Sequence, residues 1–163
     1  MNLPYIITDT HFGHELMFSP EIGRPKDFNE KLFKAMSQLK DGDILIHLGD
    51  ICIGNDREAH EKYIKPLKCK KFLVRGNHDK KSNNWYLDNG WDFVCDSFTW
   101  TYHGKKILFT HIPMPWDGVS DLNIHGHLHN CGHRNSAPLS FNKLLACEIN
   151  GYKPVSLNSF ISK

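Results

Sequence analysis

An α/β fold follows from three features of this 163-residue sequence. Short apolar runs alternate with helical periodicity through the first half. Each of those runs ends on a polar cluster rich in Asp, Asn, Gly or His. The second half carries hairpin signals in place of long helices. The expected order is βαβαβ first and antiparallel strands later, within one domain spanning 1–163.

Taken in order, Tyr5-Ile6-Ile7-Thr8 reads as a strand ending at Asp9. Phe28, Leu32, Met36 and Leu39 recur at helical spacing, with Asp27 as N-cap and Gly42 beyond the end. Ile44-Leu45-Ile46-His47-Leu48 reads as a buried strand ending at Gly49-Asp50. Residues 56–66 read as a helix that stops at Pro66. Phe72-Leu73-Val74 is a third strand, ending at Gly76-Asn77-His78-Asp79.

Phe98 to Tyr102, His103-Gly104 and Lys105 to Thr110 read as a hairpin. Leu122-Asn123-Ile124 is a short strand running into Gly126. Leu144 to Ile149, the turn signal Asn150-Gly151 and Tyr152 onward read as a second hairpin. Trp85, Tyr86, Trp91, Phe93, Phe98 and Trp100 lack interleaved Arg and read as core rather than as a base-stacking platform. The loops at 112–121 and 130–140 read as surface segments near the site.

Composition narrows the function. Hydrophobic residues make up 40% and charged residues 23%, which is ordinary globular usage and excludes a fibre or wholesale disorder. A formal net charge of +2 gives no field for general polyanion binding. No apolar run approaches the ~20 residues needed to span a bilayer. The N-terminal segment lacks the charged and apolar regions of a signal peptide, so a soluble cytoplasmic protein is expected, with no membrane partner. The five cysteines, at 52, 69, 95, 131 and 147, are odd in number and have no CxxC spacing. That argues against a disulfide framework or a Cys-rich zinc site, and reduced, small, semi-buried hydrophobes are expected. Cys131 sits beside a histidine cluster, where a thiolate ligand is the minority reading.

The eleven histidines carry the main signal. Five polar clusters follow the strands: Asp9-Thr10-His11, Gly49-Asp50, Gly76-Asn77-His78-Asp79, His111, and Gly126-His127-Leu128-His129. Strand C-termini of open α/β sheets converge on one crevice. Imidazole suits Zn, Fe and Ni, while carboxylate and amide oxygens suit Mn and Mg. A carboxylate offers two oxygens, so Asp50 can bridge two ions. The spacing assigns one ion to Asp9, His11, Asp50 and His129, and the other to Asp50, Asn77, His111 and His127. Ions held ~3.5–4 Å apart can clamp a phosphoryl group and lower the pKa of a bridging water. His78 is left over from coordination. It is read as the catalytic residue, which stabilises charge on the phosphoryl oxygens or protonates the leaving alkoxide.

In this chain order, the motifs D-x-H, G-D, G-N-H-D, a lone H and G-H-x-H closely resemble those of the calcineurin-like metallophosphoesterase superfamily. Thr8 to His14, Arg24-Pro25, His47 to Asp50 and the ending Tyr152 to Leu157 resemble its small bacterial and phage branch. The resemblance covers nearly the whole chain. It implies a four-layer sandwich of two mixed β-sheets flanked by helices, a dinuclear centre, and hydrolysis of phosphate esters by a metal-bridging hydroxide. The motifs give the same ligands, position by position. Mn2+ is the first expectation, with Fe, Zn, Ni or Mg as alternatives. No large cap insertion is apparent, which favours phosphodiesters, including nucleotide or nucleic-acid substrates. The alternatives are a phosphomonoesterase or protein phosphatase, and a non-catalytic metal-bound interaction module.

Other polar residues stay open at this stage. His14 is read as reaching substrate, or as facing solvent. Arg24 and Arg75 are read as holding phosphate or bracing loops, or as making ordinary salt bridges. Asp79 orients the site or stabilises its turn. His47 and His125 are expected to be hydrogen-bonded internally, His60 and His103 exposed, and His133 and Arg134 solvated in a loop.

Overall fold

The computed structural model describes residues 3–130 and 140–162. Five strands form one sheet in the order β4-β3-β2-β1-β9. They are β1 (Pro4–Ile7), β2 (Ile44–His47), β3 (Lys70–Val74), β4 (Phe93–Cys95) and β9 (Val155–Ser156). The first four run parallel, and β9 is antiparallel to β1. A second sheet has the order β5-β6-β7-β8. It contains β5 (Ser97–Tyr102), β6 (Lys105–Thr110), β7 (Leu122–His125) and β8 (Asn142–Leu144). The fold is α/β with two mixed sheets.

Period-two alternation divides the apolar residues between two cores. Ile7, Leu45 and Leu73 point to one face of the first sheet. They pack there with Phe28, Leu32 and Met36 of α1 (Phe28–Met36), with Ala59 of α2 (Asp56–Ala59) and with Tyr86 of α3 (Asn83–Asp88). Their neighbours Ile6, Ile46 and Val74 face the opposite side, against Ile107, Phe109 and Ile124 of the second sheet. A last helix, α4 (Leu157–Ile161), adds Leu157 and Phe160 to this interior. Among the described residues, no helix is long and apolar enough to cross a membrane.

The first hairpin forms as expected, with β5 and β6 antiparallel. The second does not form. β8 lies parallel to β7 in the second sheet, whereas β9 pairs with β1 in the first. Asn150-Gly151 therefore turns the chain between sheets instead of closing a hairpin. β6 and β7 are also parallel, so the second half is mixed rather than antiparallel throughout.

Smaller differences have identifiable causes. The expected helix at 56–66 changes to π-type winding over His60–Ile64, before Pro66. His60 is buried, not exposed, because its ring takes a hydrogen bond from Trp91 Nε1–H at 3.0 Å. Phe93 is exposed rather than core, because β4 is the edge strand of its sheet. Cys52, Cys69, Cys95 and Cys147 are free thiols. Cys131, His133 and Arg134 lie outside the described residues.

Candidate metal centre

The site is built where β1, β2, β3, β6 and β7 end. Five of the predicted ligands occupy the left-handed backbone region: Asp9 (φ 50°), His11 (46°), Asp50 (58°), His127 (69°) and His129 (50°). Each such residue costs on the order of 1–3 kcal/mol and persists only where its surroundings enforce it. Close backbone approach does the enforcing. A Cβ on Gly76 would collide with Asp50, and one on Gly126 would collide with Thr8 and Asp9. The glycines of the Gly-Asn-His-Asp and Gly-His-Leu-His segments are there to let these strand ends meet.

Two groups of ligand atoms result, each within 4.8 Å internally: Asp9, His11 and His129, and Asp50, His111 and His127. Asp9 is fully buried and divides its two oxygens. Oδ2 accepts from the Thr8 hydroxyl at 2.7 Å and from the His127 N–H at 2.9 Å. Oδ1 has no hydrogen-bond partner among the described residues and lies 3.8 Å from Nε2 of both His11 and His129. Asp50 divides likewise. Its Oδ1 accepts from the His78 N–H at 2.9 Å, while Oδ2 lies 3.7 Å from His11 Nε2 and 3.3 Å from His111 Nε2. One carboxylate thus faces both groups. Asn77 Oδ1 lies 2.9 Å from His111 Nε2, and His127 Nδ1 lies 3.2 Å from the same nitrogen.

Unpartnered buried polar atoms are costly unless something outside the chain satisfies them. Asp9 Oδ1 and both ring nitrogens of His11 are such atoms. Carboxylate oxygen and imidazole nitrogen aimed at one point make a donor set suited to a divalent cation. The residues fit a metal pair.

The ionisable groups of the two clusters shift one another. Burial alone would raise the Asp9 carboxyl, but His11, His111 and His129 hold it far below the usual carboxylate range. Burial likewise opposes ionisation of Asp50, and His111 overcomes it, so that carboxyl is also held low. Burial would lower His111, but the Asp50 carboxylate pushes it up to about 9. Burial holds His127 below its ordinary value.

The remaining candidates have distinct places. His78 projects into the cleft, with its side chain 45% exposed and Nε2 4.0 Å from Asp50 Oδ2. His14 lines the same cleft and has a buried Nδ1 with no partner among the described residues. Asp79 braces the Asp50 turn: its carboxylate accepts from the N–H groups of Asp50 (2.8 Å), Gly76 (2.7 Å) and Ile51 (3.1 Å). Arg75 lies on an adjoining groove, with Nε 2.9 Å and Nη2 2.6 Å from Asp96 Oδ1.

Arg24 does not line the cleft. Its guanidinium is buried, and it donates to the carbonyls of Thr10 at 3.0 Å and Asp9 at 2.6 Å, and to Glu148 at 2.7–2.8 Å. Arg24 Nη2 also lies 3.5 Å from His129 Nδ1, so among the described residues its position fits the bracing alternative of the sequence reading. Glu148 also lies 3.2 Å from His129 Nδ1. Sequence reasoning missed Glu148. Its signal is a lone carboxylate inside the apolar run Leu144 to Ile149. His47 and His125 are buried and hydrogen-bonded internally, to Thr10 and to the Gly126 carbonyl.

Fold and site define an α/β protein with two adjoining His/Asp groups at the strand ends. Residues 5–145 match the family model of the calcineurin-like phosphoesterases, and the chain belongs to that family. A protein of unknown function from Aquifex aeolicus, AQ665, is 27% identical over 99% of both chains, with a TM-score of 0.79. A Pseudomonas putida nuclease, MPE, is 20% identical, with 77% of this chain and 61% of that one covered and a TM-score of 0.49. An archaeal phosphodiesterase is 18% identical, with coverages of 78% and 73% and a TM-score of 0.48. No curated protein matches.

Proposed function

We propose that this chain is a phosphodiesterase acting on nucleotide-type substrates, with two divalent ions, Mn2+ first among the candidates. The observation that carries the reading is the pair of unpartnered buried atoms, Asp9 Oδ1 and His11 Nε2, beside an Asp50 oxygen that faces both groups. Bound ions would supply Lewis acidity, neutralising phosphate charge and lowering the pKa of a water. Asp9, His11, Asp50 and His129 would hold one ion, and Asp50, Asn77, His111 and His127 the other.

The protein's own groups divide the remaining work. His78, half exposed at the cleft, reaches a phosphoryl or leaving-group oxygen and gives it a proton or a hydrogen bond. His14 faces the same space and contacts the bound ester. Asp79, Arg24 and Glu148 keep the ligands in their strained conformations.

The test is metal quantification followed by parallel assays of bis-p-nitrophenyl phosphate and p-nitrophenyl phosphate with added Mn2+. Two bound ions and faster diester turnover are expected. Faster monoester turnover would overturn the diester preference. Two bound ions without turnover of either ester would make the chain a metal-bound interaction module.

A further inference from the structure

A second depression begins where the metal centre ends. It is a groove of about 460 Å³, in the range of small-molecule sites, and it shares Asn77 and His111 with the centre. Asn77 also lines the main cleft, so the two spaces adjoin at that residue. Part of its lining is apolar, formed by Leu108, Ile112 and Met114. Another part carries the Arg75–Asp96 pair. Both bonds of that pair use Asp96 Oδ1, which leaves Arg75 Nη1 and Asp96 Oδ2 without hydrogen-bond partners among the described residues.

The apolar part is exposed but not loose. Ile112 is 47% exposed and Met114 38%, yet their backbone is pinned from beneath. Thr110 Oγ1 donates to the Ile112 carbonyl at 2.6 Å. Asn123, buried on β7, accepts from the Met114 N–H at 3.0 Å, and Asn142 of β8 donates to the Met114 carbonyl at 3.0 Å. Further along the loop, Trp116 is 66% exposed, and its indole N–H is tied to the Ser120 carbonyl at 3.0 Å. Large apolar side chains held in water by buried polar clamps mark a binding surface rather than a packing defect.

We infer that this groove is the subsite for a nucleoside esterified to the phosphate at the metal centre. The inference rests on the phosphoesterase reading for what occupies that centre. Its position identifies the occupant as part of the substrate, because whatever fills the groove meets Asn77 and His111. Its chemistry selects the class. A simple alkyl group would leave Arg75 and Asp96 unmatched, and a second charged group would leave Ile112 and Met114 unmatched. A nucleobase offers an apolar face to the methionine and isoleucine, and edge donors and acceptors to the free Arg75 and Asp96 atoms.

The experiment is calorimetric titration of the Mn2+-loaded protein with thymidine 5′-phosphate and with methyl phosphate. The wild type should bind the nucleotide more tightly. In Met114→Ala and in Arg75→Gln, the ratio of the two affinities should fall by about tenfold. Met114 is part-exposed and Arg75 lies at the surface, so both variants should keep the wild-type melting curve. Equal wild-type affinity for the two phosphates, or a ratio unchanged in both variants, overturns the subsite. Those results are independent of turnover. Groove-dependent nucleotide binding without hydrolysis of any diester would sustain the subsite while refuting the hydrolase reading.

Discussion

Glu148 Oε1 lies 3.2 Å from Nδ1 of His129, so the far nitrogen of that ring is turned toward Asp9 Oδ1 at 3.8 Å. A carboxylate that accepts a hydrogen bond from Nδ1–H fixes the tautomer in which Nε2 carries the lone pair. Arg24 holds the carboxylate in turn. Removing its charge should cost the neighbouring cation site about 10–100-fold in affinity, the usual effect of such an outer partner. Glu148→Gln is therefore expected to show one weakened and one retained Mn2+ site by equilibrium dialysis. Two sites of wild-type affinity would remove Glu148 from the metal centre.

Asp50 differs from the other proposed ligands in facing both groups. Its Oδ2 is within 3.7 Å of His11 and 3.3 Å of His111, while Oδ1 is occupied by the His78 N–H. Asp50→Asn keeps the shape and an oxygen but loses the charge. It should lower metal content at both sites together and abolish turnover. A variant that loses a single ion would show that the carboxylate serves one site alone.

His78 makes the opposite prediction. Its ring is more exposed than that of any ligand, and its main-chain N–H, not its ring, supports Asp50. His78→Ala leaves that N–H in place. Metal content should stay at the wild-type value while kcat falls by ~10²–10⁴, the range for a positioned acid or base. Loss of an ion in this variant would make the ring a ligand.

These residues were readable in the sequence because β1, β2 and β3 are buried on both faces. Their apolar runs stop abruptly at Asp9, Asp50 and Asn77, so the polar punctuation marks the crevice. The second half gave a weaker signal. β8 and β9 are three and two residues long, too short for alternation to tell which sheet each joins. Asn150-Gly151 has the composition of a hairpin turn, yet the strands it joins pair with β7 and β1. Partner choice depends on contacts remote in sequence. The same limit hid Glu148, whose partner Arg24 is 124 positions away, and the burial of His60 against Trp91.

That His60–Trp91 contact supplies a pH prediction away from the metal ligands. The indole N–H can only donate, so His60 Nε2 must accept, and the ring proton sits on Nδ1, 2.7 Å from the Asp56 carbonyl. Both nitrogens are satisfied by the neutral ring. Burial holds the folded pKa below the ordinary 6.5. An unfolded chain therefore takes up a proton below pH 6.5 that the native ring refuses, and stability is lost as pH falls through that value. The contribution is fully present above pH 6.5 and fades by at most about 1.4 kcal/mol per pH unit below it. Gln at this position can accept from the indole and donate to the carbonyl without titrating. Urea denaturation of wild type and His60→Gln should show the variant less stable at pH 7.5 and the gap narrowing by pH 5.5. A gap that stays constant or widens on acidification would mean that the native ring accepts the proton.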